Sequence, residues 1–389
     1  MTDYGMICEW NPLHLGHLRL IDEARSRGAD RVVCVMSGNT VQRGEFAVAD
    51  RYLRAEAAIR CGVDLVLELP FPWCSGSAES FAKGGVSILR HFADCLIFGS
   101  ECGDLSTLSR GADAAADEGL REAYRSALRQ GEPAAEAYGR CLAERGITGL
   151  SSNDLLGVEY LRQSRALGAS LRWETLRREG TPYGDEQISE GALPSATAIR
   201  RLWEMGRYED ANRFMPPAAA QVYARGREEG RTLSAERVDA ALLSYFRLQT
   251  GEDFQRILGC EGGLAHRICR LAREQTTLSG LLSELKNKRY TDAKLQRVLL
   301  YCLFGVTAED LEGIPSYTTV LGANEKGRSL LRERSRSLPE GFSVVTKPAD
   351  APKDTRQAVL AESVDALYTL CATTPSTAFS LMKRSPLML

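Results

Sequence analysis

Four short apolar runs punctuate the first hundred positions, at 4–8 ("YGMIC"), 31–36 ("RVVCVM"), 64–70 ("DLVLELP") and 94–101 ("DCLIFGSE"). Between them lie stretches with apolar residues at helical spacing. From His17 to Arg27 these are Leu18, Ile21 and Ala24; two more stretches cover 51–61 and 77–92. Strands without apolar–polar alternation, separated by helices, predict a parallel sheet covered on both faces, built from right-handed βαβ units. Residues 104 to about 168 read as helical, and "LRWETLRR" (171–178) reads as a fifth strand returning to the sheet. The helix in "LPSATAIRRLWEMG" (193–206) opens with Ser195 as its N-cap. Beyond about residue 215 periodic helices dominate to about 312, and "YTTVLG" and "FSVVTKP" suggest short strands near the end. The fold class expected is α/β: a doubly wound parallel sheet over 1–214, followed by a mostly helical region over 215–389.

Composition narrows the class without naming a chemistry. A chain of 389 residues, 44% hydrophobic, 26% charged and of net charge -2, is that of an ordinary soluble protein. It carries no overall basic footprint, so nucleic acid would have to be met by a local patch. Eleven cysteines occur with no CxxC pair, several inside apolar runs. That pattern favours reduced core thiols over a disulfide scaffold or zinc site and predicts a cytoplasmic protein. The opening "MTDYGMICEW" does not read as a signal peptide, and no run reaches the length of a membrane span.

Chemistry concentrates in "EWNPLHLGHLRLIDEAR" (9–25), where His14 and His17, half of the histidines, flank Gly16. The carboxyl end of a strand is where ligands bind in open α/β sheets. A helix amino terminus adds unpaired N–H groups and a positive dipole, both favouring phosphate. Two imidazoles three residues apart can donate to one phosphate as negative charge builds on it. The competing readings are a histidine pair that merely caps a helix, and zinc. Only His91 and His266 remain as further imidazoles, so a three-histidine zinc site is poorly supplied.

"EWNPLHLGH" resembles the xxNPxHxGH signature of the nucleotidylyltransferase superfamily, which also contains the class I aminoacyl-tRNA synthetases. The segment 35–89, together with "FGSE" (98–101), "SSNDLLGVEYLR" (151–162), "LRREGTPYGDE", "SATAIR" (195–200), "LKNKRYTDAKLQRVLLYCLFGV" (285–306) and "TKPAD" (346–350), resembles the bacterial tRNA(Met) cytidine acetate ligases. The likeness covers most of the chain. It implies a Rossmann-like fold and an enzyme that activates acetate with ATP to acetyl-adenylate, releasing pyrophosphate. The acetyl group then passes to N4 of the wobble cytidine of elongator tRNA(Met), with Mg²⁺ arriving on the triphosphate. By the same resemblance His14 and His17 steady the phosphates in the transition state. The ATP-binding stretch is Ile7, Cys8, Glu9, Trp10, Asn11, Pro12, Leu13, His14, Leu15, Gly16, His17, Leu18, Arg19 and Leu20, joined later by Gly99, Asn153 and Arg178. Ser195 and Thr197 are candidates for the β- and γ-phosphates, and Arg200 or Arg201 for the pyrophosphate. Gln42, Arg43 and Asp50, in the polar loop "SGNTVQRGEFAVAD", are candidates for closing over the adenylate. Trp10 stands where tyrosine is usual in the family, Leu15 where asparagine is frequent, and Gly184 where a histidine often follows the tyrosine.

"KNKRYTDAKLQR" (286–297) sets Lys286, Lys288, Arg289, Lys294 and Arg297 against Asp292 alone, with Tyr290 interleaved. Such a patch suits RNA phosphates and stacking on an unpaired base; a solvated helix face is the plainer alternative. "RSLLRERSRS" (328–337) is a weaker second patch. Two other functions compete with the ligase: a nucleotidylyltransferase acting on a small phosphorylated metabolite, and a non-catalytic RNA-binding relative.

Overall fold

The computed structural model describes residues 1–178, 195–261, 263–287 and 290–389. Its strands are β1 (Asp3–Cys8), β2 (Arg31–Ser37), β3 (Thr40–Val41), β4 (Glu45–Phe46), β5 (Leu65–Leu69), β6 (Cys95–Ser100), β7 (Arg172–Arg177), β8 (Tyr317–Ala323), β9 (Ser343–Val345) and β10 (Leu387–Met388). The first four apolar runs and "LRWETLRR" form β1, β2, β5, β6 and β7. These five pair in parallel in the order β5-β2-β1-β6-β7. Every residue of β2 and β5 is buried, which is why their sequences do not alternate. The chain runs outward from β1 through β2 to β5, then returns to β6 on the other side of β1. The order therefore reverses between β1 and β6, and a crevice opens outside their carboxyl ends.

The sheet does not stop at residue 215. β8 pairs antiparallel with β5, and β9 and β10 pair parallel with β8, so strands from the last fifth of the chain complete one eight-stranded sheet. The main apolar core draws on residues from both sides of that position, including Leu53, Phe46, Tyr223 and Tyr368. Two buried ion pairs tie distant parts together. Arg51 grips Asp365 with two 2.6 Å hydrogen bonds. Asp3 receives Arg31 at 2.5 Å and Arg334 at 2.7 Å.

The polar loop 37–50 is folded largely inside the molecule. It holds a hairpin, β3–β4, and Asn39, Thr40, Val41 and Asp50 are buried. Its polar groups are tolerated inside because distant residues satisfy them. Asn39 Nδ2 donates to Asp365 at 2.8 Å, and Arg297 donates to the carbonyl of Gln42 at 3.2 Å. Phe46 meets Phe304 and Tyr368 edge-on, at 6.3 and 6.1 Å between centroids. Nine of the eleven cysteines are buried, as their apolar settings predict. No helix among the described residues is long and apolar enough to cross a membrane.

Candidate active site

β1 delivers Cys8 to the crevice, and the chain turns sharply at Trp10, the one non-glycine with positive φ (45°) among the described residues. A bulky residue held there stores strain, a trait of functional turns. His14 then caps the helix Leu15–Ser26: its Nδ1 accepts the N–H of Gly16 at 3.1 Å. His17 reciprocates, its Nδ1 accepting the N–H of His14 at 3.3 Å. The rings stack at 3.7 Å between centroids. A Cβ on Gly16 would lie 2.9 Å from His14 Cε1, so only glycine lets the ring sit there.

This geometry decides how the histidines act. Burial pushes the His14 pKa down to about 3, helped by Arg178; burial, His14 and Arg178 hold His17 well below its ordinary value. Both rings are therefore neutral. Because each Nδ1 accepts a backbone N–H, each proton sits on Nε2. The pair offers two Nε2–H donors rather than two cations. Capping uses the Nδ1 atoms alone and leaves both Nε2–H groups to face the cleft, so the two readings posed as alternatives in the sequence are compatible.

The cleft around them is lined by seven segments of the chain. Ile7, Cys8, Glu9, Trp10, Asn11, His14, His17 and Leu20 come from the first motif. Phe98 and Gly99 come from β6, Asn153 and Tyr160 from the helix Ser152–Ala166, and Phe81 from the helix Ala78–Leu89. Arg178 follows β7, Ser195, Thr197 and Arg200 open the helix Ala196–Glu204, and the hairpin contributes Gln42, Arg43 and Glu45. Glu101 holds two of these together, accepting from Asn153 Nδ2 and lying 3.8 Å from Arg178 Nε. Ser195 Oγ caps its helix through the N–H of Ala198 at 3.3 Å. Arg200 donates to Asn11 O at 2.9 Å and to Thr197 Oγ1 at 3.3 Å. Asn11 Oδ1 accepts the N–H of Val48 at 2.8 Å, whereas its buried Nδ2 has no partner.

Pro12, Leu13, Leu15, Gly16, Leu18 and Arg19 support the motif without lining the cleft. The N–H of Leu13 donates to Tyr223 Oη at 3.1 Å and that of Leu15 to Phe214 O at 2.9 Å, anchoring the turn on the next helices. Asp50 is not a closing residue. It caps the helix Arg51–Arg60 through the N–H groups of Tyr52 and Leu53 and pairs with Arg231 at 2.8 Å. Of Arg200 and Arg201, only Arg200 lines the cleft. His91 stacks on Phe342 and His266 lies 4.0 Å from Glu252; neither joins the pair, so the third imidazole a zinc site needs is not assembled. Glu45 and the wall of Phe81, Ile97, Phe98, Leu156 and Tyr160 were not anticipated, since apolar wall residues look like core in sequence.

Residues 1–381 match the family described as HIGH Nucleotidyl Transferase. The chain is 34% identical over 367 residues to the tRNA(Met) cytidine acetate ligase of Caldanaerobacter subterraneus subsp. tengcongensis, covering 90% of this chain and 89% of that one. It is 35% identical over 358 residues to the protein of the same name from Syntrophotalea carbinolica, covering 87% and 84%. This chain belongs to the tRNA(Met) cytidine acetate ligase family. The fold agrees throughout with a crystal structure of Thermotoga maritima TmcAL bound with alpha-thio ATP, at a TM-score of 0.86, 30% identity and full coverage of both chains. The apo form of that protein gives 0.88 at 31% identity.

In this member of the ligase family the basic segment is less uniform than its sequence. Lys286 is exposed and pairs with Asp292 at 2.6 Å, and Lys294 Nζ lies 4.9 Å from the Tyr290 ring centroid. Tyr290 itself is buried and its hydroxyl donates to Glu261 O at 3.3 Å, so it is not a platform for a base. Arg297 is likewise committed inward, donating to the carbonyls of Ser75 at 2.9 Å and Gln42 at 3.2 Å. Lys288 and Arg289 lie outside the described residues. The second patch is weakened too, because Arg334 pairs with Asp3 and Asp94.

Proposed function

We propose that the protein activates acetate with ATP, releasing pyrophosphate, and acetylates N4 of the wobble cytidine of elongator tRNA(Met). The observation that carries this reading is the stacked, neutral His14–His17 pair presenting two Nε2–H donors in the switch-point cleft. As an acetate oxygen attacks the α-phosphorus, negative charge grows on the departing pyrophosphate and on the α-phosphoryl oxygens. Preorganised donors stabilise that charge without reorganising. Neutral rings do so without losing a proton, and burial keeps them neutral.

The residues present fit ATP. Arg43 and Arg178 supply cationic forks for phosphate oxygens, Ser195 and Thr197 open a helix amino terminus, and the wall around Phe98 and Tyr160 suits a base. Mg²⁺ would shield triphosphate charge when bound; we assign it to the phosphate oxygens, no group of three or more His, Cys, Asp or Glu being arranged for a metal among the described residues. Recognition of tRNA we assign to the region after residue 215, through exposed cations such as Lys286.

Acetate-dependent exchange of pyrophosphate into ATP, followed by mass spectrometry of nucleosides from treated tRNA(Met), tests this reading. His14→Ala and His17→Ala should each lower the exchange rate by about 100-fold or more, the usual cost of one such donor. Full exchange in the double variant would defeat the proposal. Exchange only with a phosphorylated metabolite would replace it by a small-molecule nucleotidylyltransferase.

A further inference from the structure

A cleft that serves a polyphosphate also holds two carboxylates, Glu9 and Glu45. Glu9 is engaged by the backbone N–H of Gln42. Glu45 is not so engaged. Its Oε1 is enclosed yet accepts no hydrogen bond, for Arg200 Nη2, 3.2 Å away, lies off the hydrogen-bonding direction. The other arm of that guanidinium, Nη1, donates to the carbonyl of Asn11, whose Nδ2 is the second enclosed atom without a partner. One arginine thus gathers an unfilled acceptor and an unfilled donor. Leaving both unmet costs free energy that a ligand with the opposite pattern would recover.

An amino group next to a ring nitrogen has that pattern. Cytosine presents it as N4–H and N3, and a carboxylate accepting from cytosine N4 is a known pairing. Adenine offers the same pattern at N6 and N1, so location has to choose between them. Glu45 sits on the hairpin that Arg297 ties to the helix Asp292–Phe304, the helix that bears Lys294. The hairpin therefore lies between the basic region and the cleft, on the side from which RNA would come.

We propose, on the ligase reading above, that Glu45 and Asn11 receive the acceptor cytosine: Glu45 accepts the N4–H and Asn11 Nδ2 donates to N3. The N4 lone pair then forms the bond to the acetyl carbonyl carbon, and the bond from that carbon to the phosphate oxygen breaks. AMP departs with the electron pair, and the N4 proton passes to the Glu45 carboxylate. The products are N4-acetylcytidine, AMP and a protonated Glu45 that returns its proton to water.

The experiment compares both half-reactions in Glu45→Gln. Acetyl transfer to tRNA(Met) should fall about 100-fold, as for a lost general base, with acetate-dependent exchange changing by no more than about threefold. The retained exchange reports that the variant is folded. Glu45→Asp should restore part of the transfer. A parallel loss of exchange and transfer would place Glu45 with the nucleotide and overturn the proposal, as would undiminished transfer. Absence of acetate-dependent exchange in the unmodified chain would instead defeat the ligase reading itself.

Discussion

His14 is buried and His17 half-buried beside it, and the desolvation that holds both rings neutral has a consequence measurable without substrate. In the unfolded chain an imidazole takes up a proton near 6.5, whereas folded His14 resists protonation down to about 3 and His17 is also held well below its ordinary value. Lowering the pH through this window adds protons to the unfolded state first. Stability is then unaffected by this pair above about 6.5 and is lost as pH falls from there toward 3. Each histidine should steepen that loss by up to about 1.4 kcal/mol per pH unit. Urea denaturation across the window should show a shallower slope in His14→Gln than in the parent, and equal slopes would contradict the assigned neutral state. At this scale the sequence was informative about identity: two imidazoles flanking a glycine at a strand-to-helix junction pointed to phosphate. It was silent about protonation and tautomer, which depend on burial and on two backbone N–H groups.

Among the elements, the buried strands were readable because both faces of a central parallel strand lie in the core, which forces an unbroken apolar run. The hairpin β3–β4 was not readable. Its residues are polar, and what draws them inside lies more than 250 positions away, at Arg297, Phe304, Asp365 and Tyr368. Gly44 is its critical point, with φ of +82° and the backbone of Arg297 directly where a side chain would begin. Gly44→Ala should destabilise the protein by about 2 kcal/mol or more through the left-handed backbone alone. By pushing the helix Asp292–Phe304 off Gln42 and Arg43, it should also raise the KM for ATP in the exchange assay. An unchanged KM and denaturation midpoint would show that the hairpin does not set the site.

For the molecule as a whole, a net charge of -2 means that RNA affinity must come from a few cations. Arg297 and Arg334 are committed to internal partners, which concentrates that role on the segment around 286–294. Reversing the charge of Lys288 and Arg289 together should lower tRNA affinity strongly and reduce the salt dependence of binding by about two phosphate contacts, while sparing ATP affinity. Filter binding across a salt series reads both, and unchanged tRNA affinity would remove this segment from the interface.

The sequence by itself determined the strand–helix alternation and the imidazole motif at the mouth of the sheet. Each of these is written in residues close together along the chain. Only the tertiary structure decided which polar groups are spent and which are left over. Arg297 and Tyr290 turned inward, Asp50 became a cap, and Asn11 Nδ2 and Glu45 Oε1 were left without a hydrogen bond. Hydrogen-bond satisfaction is a property of neighbours in space, and here the neighbours come from opposite ends of the chain.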